Sequence, residues 1–341
     1  MLAPGRRGAL LFFLMGAMAN EFFPRLLGDI GGTNARFAWQ SDRAAPPTDV
    51  ATYPCVEHDS LLQAIGHYLA EHRKERPPAC AIGIANPILG DLVQMTNHHW
   101  SFSISELQRG LGFQRLRVIN AFTALALSLP ALQAADLHHI GHAGEAVPGA
   151  PLAVLGPGTG LGVSGLLPSD TGSFVPISGE GGHVTLAAHG EYEAAVVSAL
   201  ARRFGHASAE RALSGPGLVN LYDAASILAH RTPLPLCAAD VIERARGAAD
   251  ASCIAAIDLF CKFLGSVAGN LALTLGARGG VYIGAGLAPR LKAEIERSAF
   301  RERFAAKGRF RDYLGAIPTF IIDAQISPAL IGAARALDRA D

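Results

Sequence analysis

Asp29-Ile30-Gly31-Gly32-Thr33-Asn34 places a carboxylate, two adjacent glycines, a hydroxyl and an amide side by side, with Arg36 shortly after. Gly31 and Gly32 let a ligand approach the backbone with no Cβ in the way. Successive N–H groups in such a turn form a concave anion site. Thr33 and Asn34 add donors, and Arg36 adds positive charge. Asp29 would repel a phosphate unless a cation came with it, and a hydrated Mg²⁺ carried by a nucleotide meets that need. A second run, Gly156-Pro157-Gly158-Thr159-Gly160-Leu161-Gly162, offers the same bare backbone. Two such turns facing each other would grip a polyphosphate from both sides. Neither is a dinucleotide fingerprint: the glycine spacing is wrong, and 163–167 reads as a strand, not a helix. No G-x-x-x-x-G-K-[ST] run occurs, so flavin, nicotinamide and P-loop chemistry are poor fits. A third cluster, Ser178-Gly179-Glu180-Gly181-Gly182-His183, sets an acid and an imidazole on a glycine-rich loop, where both offer directional hydrogen bonds to hydroxyl groups.

These clusters need elements to hold them. Leu26-Leu27 and Phe37-Ala38-Trp39 flank the first turn and predict a hairpin starting near Arg25. The polar, Pro-containing stretch 42–53 reads as a loop and an edge strand. Residues 60–73 have helical spacing, with Leu61, Leu62, Ile65, Tyr68 and Leu69 on one face and Ser60 as N-cap. A buried strand at 79–85, a turn at 86–91, a return strand at 92–96, a short helix from Ser105 and a strand at 116–119 follow. Asn120 then opens a helix that stops near Pro130, at a strand's C-terminal end, where ligands sit in open α/β sheets. Residues 138–151 read as a loop and 152–155 as a strand leading into the second glycine turn. Helices are expected at 191–203, 218–230, 238–246 and 252–275, with 208–217 a helix start and then a turn. The helix 252–275 is apolar nearly all round, which predicts burial. The strand 281–283 ends at Gly284-Ala285-Gly286-Leu287, with a helix starting near Pro289. That arrangement suits a nucleotide base or sugar against bare backbone. A strand at 317–322 and a helix at 327–337 close the chain.

Composition sets the outer bounds. The 341 residues are 50% hydrophobic and 17% charged, enough for one large or two ordinary domains with a sizeable core. Formal net charge is zero and no long Lys/Arg run occurs, which points away from nucleic acid. The five cysteines (Cys55, Cys80, Cys237, Cys253, Cys261) are scattered without C-x-x-C, which argues for a reducing compartment and against structural zinc. Arg6-Arg7 and the apolar run 9–15 have the parts of a signal peptide, too short to span a bilayer. Residues 1–21 are read instead as an N-terminal extension, with translation starting at Met18, and the protein as cytoplasmic with no membrane partner.

Taken together, G-D-I-G-G-T-N-A-R (28–36), M-T-N-H-H-W (95–100), G-P-G-T-G-L-G (156–162), G-E-G-G-H (179–183), S-A-E-R-A-L-S-G-P-G-L (208–218) and G-A-G-L (284–287) resemble the bacterial glucokinase family over about residues 25–337. The resemblance implies an α/β, ribonuclease-H-like (actin-like ATPase) fold with two domains around a cleft. The small domain would be 22–131, completed by the C-terminal helix 324–341, and the large domain 132–323. It implies ATP and Mg²⁺ as cofactors, D-glucose as substrate and a homodimer as an assembly to look for. Asp29, Ile30, Gly31, Gly32, Thr33 and Asn34 would hold the ATP phosphates together with Gly156, Gly158, Thr159 and Gly160. Asp29 would meet the metal indirectly, through Mg-ATP, and Gly284 and Gly286 would lie near adenosine. Asn120, Glu180, His183 and Glu210 would hydrogen-bond the sugar hydroxyls.

One position departs from the pattern. The family reads I-N-D-F-T where this chain has Ile119-Asn120-Ala121-Phe122-Thr123. The family's aspartate is the general base that accepts the proton of the attacking hydroxyl, and Ala121 has no group for that. The resemblance therefore implies either a glucokinase slowed at its chemical step or a catalytically impaired glucose-binding or regulatory paralogue.

Overall fold

The computed structural model describes residues 22–96, 98–141, 144–170 and 172–339. The N-terminal extension and Asn97 of the M-T-N-H-H-W run lie outside them. The chain forms two compact units, one from the residues up to 131 together with those from 326 onward, the other from 132–325.

In the first unit, β1 (Arg25–Ile30) and β2 (Asn34–Gln40) form the hairpin the sequence predicts, with Ile30 opposite Ala35. β3 (Thr48–Pro54) lies outside β2, and β4 (Ala79–Ile84) runs parallel to β1, buried along its whole length. β5 (Leu92–Gln94) is the strand expected over 92–96, in shorter form. It pairs with β6 (Ser101–Ser103) in a separate two-stranded sheet, because only Val93 of the three residues has a buried side chain. β7 (Arg115–Asn120) runs parallel to β4 and gives the order β3-β2-β1-β4-β7. Helix α1 (Leu61–Glu71) is capped by Ser60, whose Oγ accepts the Gln63 N–H at 3.2 Å. Its buried face is Leu61, Ala64, Ile65, Tyr68 and Leu69; Leu62, expected there, is 46% exposed because Ala64 occupies the stripe instead. Helix α2 (Ile104–Leu111) starts ahead of the expected Ser105, since Ser103 is the cap and Ser105 binds Asp91 through its N–H.

Helix α3 (Ala121–Ser128) and the C-terminal helix Pro328–Leu337 complete this unit. Leu330 and Ala334 pack on Leu27 and Ala38, and Ala333 and Leu337 on Ala79 and Ala81. Glycine permits the crossing: a Cβ on Gly332 would stand 1.6 Å from the Ala124 carbonyl oxygen. On α3's other side, a Cβ on Gly83 of β4 would stand 3.0 Å from Ala124 Cβ. The space on both sides of α3 is therefore filled. Gly332→Ala is expected to cost about 3 kcal/mol of stability through overpacking. Urea unfolding followed by tryptophan fluorescence checks this, because Trp39 and Trp100 both lie in this unit. An unmoved midpoint would contradict the packing argument.

The second unit repeats this strand arrangement on its own sheet, in which the strands lie in the order β11 (Phe174–Ser178), β10 (Leu161–Pro168), β9 (Leu152–Pro157), β12 (Val281–Ile283), β13 (Thr319–Ile322) and β8 (Leu137–His139). β8 is an edge strand antiparallel to β13, in a stretch the sequence reads as loop. β9 and β10 form the second glycine hairpin. β11 extends it, and β12 and β13 run parallel to β9. In each sheet, then, a three-stranded antiparallel meander continues through its first strand into two parallel ones. Around this sheet lie α4 (Glu191–Phe204), α5 (Gly215–Leu228), α6 (Ala238–Arg246) and α7 (Ala251–Leu275). Short helices α8 (Leu287–Arg290), α9 (Lys292–Arg297) and α10 (Phe300–Ala305) follow. α7 is long and apolar enough to cross a membrane, but most of its length is core, with Phe260, Phe263 and Leu264 fully buried. It touches α10 backbone to backbone: Cβ atoms on Gly265 and Gly269 would each stand 2.3 Å from the carbonyl oxygens of Phe300 and Phe304. The helix start expected at Ser208 is a single 3-10 turn, Ala209–Arg211; the cap is Ser214, whose Oγ accepts from Gly217 N–H at 2.9 Å, with Pro216 inside the first turn.

Candidate active site

In the first unit the C-terminal ends of three parallel strands lie level: Ile30, Ile84 and Asn120 occupy matching positions of β1, β4 and β7. Asp29 is fixed there from two sides. Its Oδ2 accepts from Arg36 Nη1 at 3.1 Å and from Ser327 Oγ at 2.7 Å. Gly31 N–H donates to Asn34 O, and Cys55 N–H to Thr33 O, so the turn is held by its own backbone. Thr33 and Asn34 are exposed.

Asn120 is the N-cap of α3. Its Oδ1 accepts from Phe122 N–H at 2.7 Å and Thr123 N–H at 3.3 Å, while Nδ2 donates to Asn86 O at 3.3 Å. The side-chain oxygen is thus committed to the helix, and the amide keeps one N–H for a ligand. Asn86 also accepts from Thr96 through Oδ1, so the turn after β4 is tied both to the chain just past β5 and, through Asn120, to the end of β7. Ala121 follows as the first helical residue and is half-buried.

In the second unit four of the glycine-bearing motifs meet. Gly158 O accepts from Gly215 N–H at 2.8 Å, and the Gly158 N–H closes the hairpin on Gly160 O. A Cβ on Gly158 would touch Ala285, between Gly284 and Gly286. Ala285 has φ 64°, a left-handed conformation costly for a side-chain-bearing residue and frequent at ligand sites. Glu210 Oε2 accepts from Leu161 N–H at 2.9 Å, and a Cβ on Gly160 would stand 2.3 Å from that same oxygen. Gly182 sits against β10 so closely that a Cβ would stand 2.0 Å from Leu161 O. Glu180 and His183 flank it on an exposed turn, with His183 N–H donating to Glu180 O. Gly156 is buried in β9 and Thr159 is the exposed tip. The glycine hairpin, the Glu180–His183 turn, Glu210 and Ala285 are therefore packed into one cluster.

The donor set fits Mg²⁺ carried by a nucleotide better than a resident ion. Asp29 offers one carboxylate with one oxygen already engaged, and no three-residue metal cluster occurs among the described residues. Mg²⁺ is commonly held by one or two carboxylates plus substrate phosphates.

The family model described as Glucokinase matches residues 26–340. A glucokinase of Aromatoleum aromaticum is 54% identical over 322 residues, covering 94% of this chain and 96% of its own. The chain belongs to the glucokinase family. A crystal structure of a glucokinase from an Antarctic psychrotroph superposes with TM-score 0.84 at 38% identity, covering 94% of this chain and all of that one. A ROK hexokinase from Thermus thermophilus, TM-score 0.66 at 18% identity over 93% of this chain and 100% of its own, shares the fold alone. The glucokinase fold is the actin-like one, and its repeated strand order is the one described above.

Reading along the chain missed Ser327 and Asn86 as parts of this glucokinase scaffold. Ser327 meets Asp29 across 298 positions, which no local pattern reports. Ala285 carries a signal, since it stands between two glycines, but its φ does not follow from that.

Proposed function

We propose that this chain is an ATP-dependent glucose phosphotransferase whose chemical step is slowed by Ala121. The observation that supports this most is the Glu210–Leu161 contact, which joins a residue of the sugar group to the backbone of the phosphate hairpin. Asp29 to Asn34 and Gly156 to Gly160 bind the nucleotide's phosphates, and Gly284 and Gly286 take the adenosine. The two units act as the small and large domains of a kinase. Mg²⁺ bound with ATP neutralises phosphate charge, with Asp29 holding its water shell. Asn120 Nδ2, Glu180, His183 and Glu210 orient glucose through its hydroxyls, and a sugar lacking one of these leaves one of those polar groups unpaired in the complex.

Because phosphoryl transfer depends largely on positioning and charge stabilisation, residual turnover is expected without a base. A second reading, a glucose-binding regulatory paralogue, is favoured by Ala121 itself. Calorimetric titration with glucose and a coupled glucose 6-phosphate assay separate the two. Binding with slow turnover supports the first reading, binding with none the second, and no glucose binding removes both.

The Glu210 contact makes its own prediction. Glu210→Ala is expected to weaken both glucose and ATP by at least about tenfold, since a charge-assisted hydrogen bond is worth about 1.5–3 kcal/mol. Separate titrations with each ligand check it. A loss confined to glucose would show that the hairpin does not depend on Glu210.

A further inference from the structure

The second unit holds a cavity of about 530 Å³ that the sugar and nucleotide reading leaves unused. Small-molecule sites fall between roughly 300 and 1,000 Å³ and are mostly apolar with a few placed polar groups. Here the apolar wall is Val163, Val184, Val267 and Leu271. Val184 directly follows His183 and is 53% exposed, an apolar side chain lacking cover. Segment 181–189 is thus both a cavity wall and the continuation of the Glu180–His183 turn.

Beside the polar Thr185, His189, Asn270 and Thr274, the lining carries two basic side chains and, among the described residues, no carboxylate. The two are Arg303 and Lys307. Arg303 is satisfied: both guanidinium ends bind the Glu193 carboxylate, and Nη2 also donates to Ser266 Oγ at 2.9 Å. Lys307 is not. Its Nζ donates to the Ser266 carbonyl at 3.2 Å, and among the described residues no carboxylate hydrogen-bonds to it. Burial and the neighbouring Arg303 charge push its pKa below the ordinary lysine value. Its stem lies over the α7 backbone, 3.2 Å from where a Cβ of Gly269 would be, so the ammonium is held at the cavity rather than swept into solvent. With Glu193 balancing Arg303, one positive charge is left. A single negative head group matches it, whereas a dianion would bury an uncompensated charge.

We infer that this cavity binds a small amphipathic monocarboxylate, its head group on Lys307 and its apolar body against Val163, Val184, Val267 and Leu271. Occupancy covers Val184 and changes glucose affinity; that second clause rests on the sugar-binding role proposed for Glu180 and His183.

Octanoate is the probe and octanol its neutral control, each titrated calorimetrically into the full chain without sugar. Octanoate is expected to bind saturably, one per chain, at least about tenfold tighter than octanol, the worth of one charge-assisted pair. Lys307→Met, which keeps the stem, is expected to bring octanoate down to octanol's affinity. Val267→Trp, which fills the cavity, is expected to abolish both. Equal affinity for the two probes, or octanoate binding unchanged in Lys307→Met, overturns the proposal, and the lysine variant decides alone if the tryptophan variant misfolds. A change of sedimenting mass in Val267→Trp would make the cavity an interface between copies and likewise overturn it. Glucose titrations with and without saturating octanoate then test the coupling. Because octanoate binding needs no sugar site, a chain that binds octanoate but not glucose refutes the function and not the cavity.

Discussion

Replacing Ala121 by aspartate is expected to raise kcat for glucose phosphorylation by at least about 10²-fold, the lower end of what a placed general base supplies. That is a barrier reduction of about 3 kcal/mol. The local backbone favours a carboxylate at this position. Residue 121 is the first of α3, directly after the Asn120 cap, and a negative charge at a helix N-terminus is favoured by about 0.3–1 kcal/mol. Asp29, the carboxylate of the first glycine turn, does not stand in for it. Asp29 lies on β1, two strands from β7, about 10 Å at ordinary strand spacing. It is also bound by Arg36 and Ser327. Binding of glucose and ATP is expected to change little, so the gain should fall in kcat rather than KM. Ala121→Asn supplies a similar shape without basicity and should gain nothing. A coupled assay on the three proteins measures this; equal rates before and after the aspartate exchange would remove the base argument.

Arg303→Met is expected to lower the stability of the second unit by about 3–5 kcal/mol, the penalty for leaving one partner of a buried ion pair alone. Arg303 and Glu193 are 8% and 5% exposed. Burial by itself would raise the Glu193 pKa, but the hydrogen bonds and charge of Arg303, with the His189 N–H, outweigh it and leave the carboxyl below its ordinary value. The sign follows. A depressed native pKa contributes stability above the unfolded value, about 4.3, and that stability is lost as pH falls through the native value. In the methionine variant the uncompensated carboxyl is pushed up, so its deficit should shrink as pH falls toward 4.3 rather than grow. Both tryptophans lie in the first unit, so unfolding of the second is followed by far-ultraviolet circular dichroism. A deficit under about 1 kcal/mol would mean that the pair behaves as a surface one.

Much of this was legible along the chain where local chemistry dictates local structure. Asn120 before an apolar run is a helix start in sequence and in space, and the two glycine hairpins lie where their flanking strands predict. The sequence reading failed where a neighbour decides. Leu137-His138-His139 becomes a strand only because β13 offers an open edge. Leu92 faces solvent because its ribbon pairs away from the main sheet. The helix start read within 208–217 falls at Gly215, capped by Ser214, where Gly217 seats against Ala212. In the site, residue types pointed to anion and hydroxyl binding. That Glu210 holds Leu161 N–H, or that Ser327 holds Asp29, is a tertiary fact with no local signature.

The seating of Pro328–Leu337 on the first unit bears on synthesis. Strands β1 and β4 emerge from the ribosome early, yet Leu27, Ala79 and Ala81 gain their cover only when the final helix has been translated. The second unit, continuous from 132 to 325, has its whole sequence available before then. At about 5–20 residues per second, the early sheet waits tens of seconds or less with an apolar face uncovered. The nascent chain is therefore expected to need chaperone shielding of its first unit rather than its second.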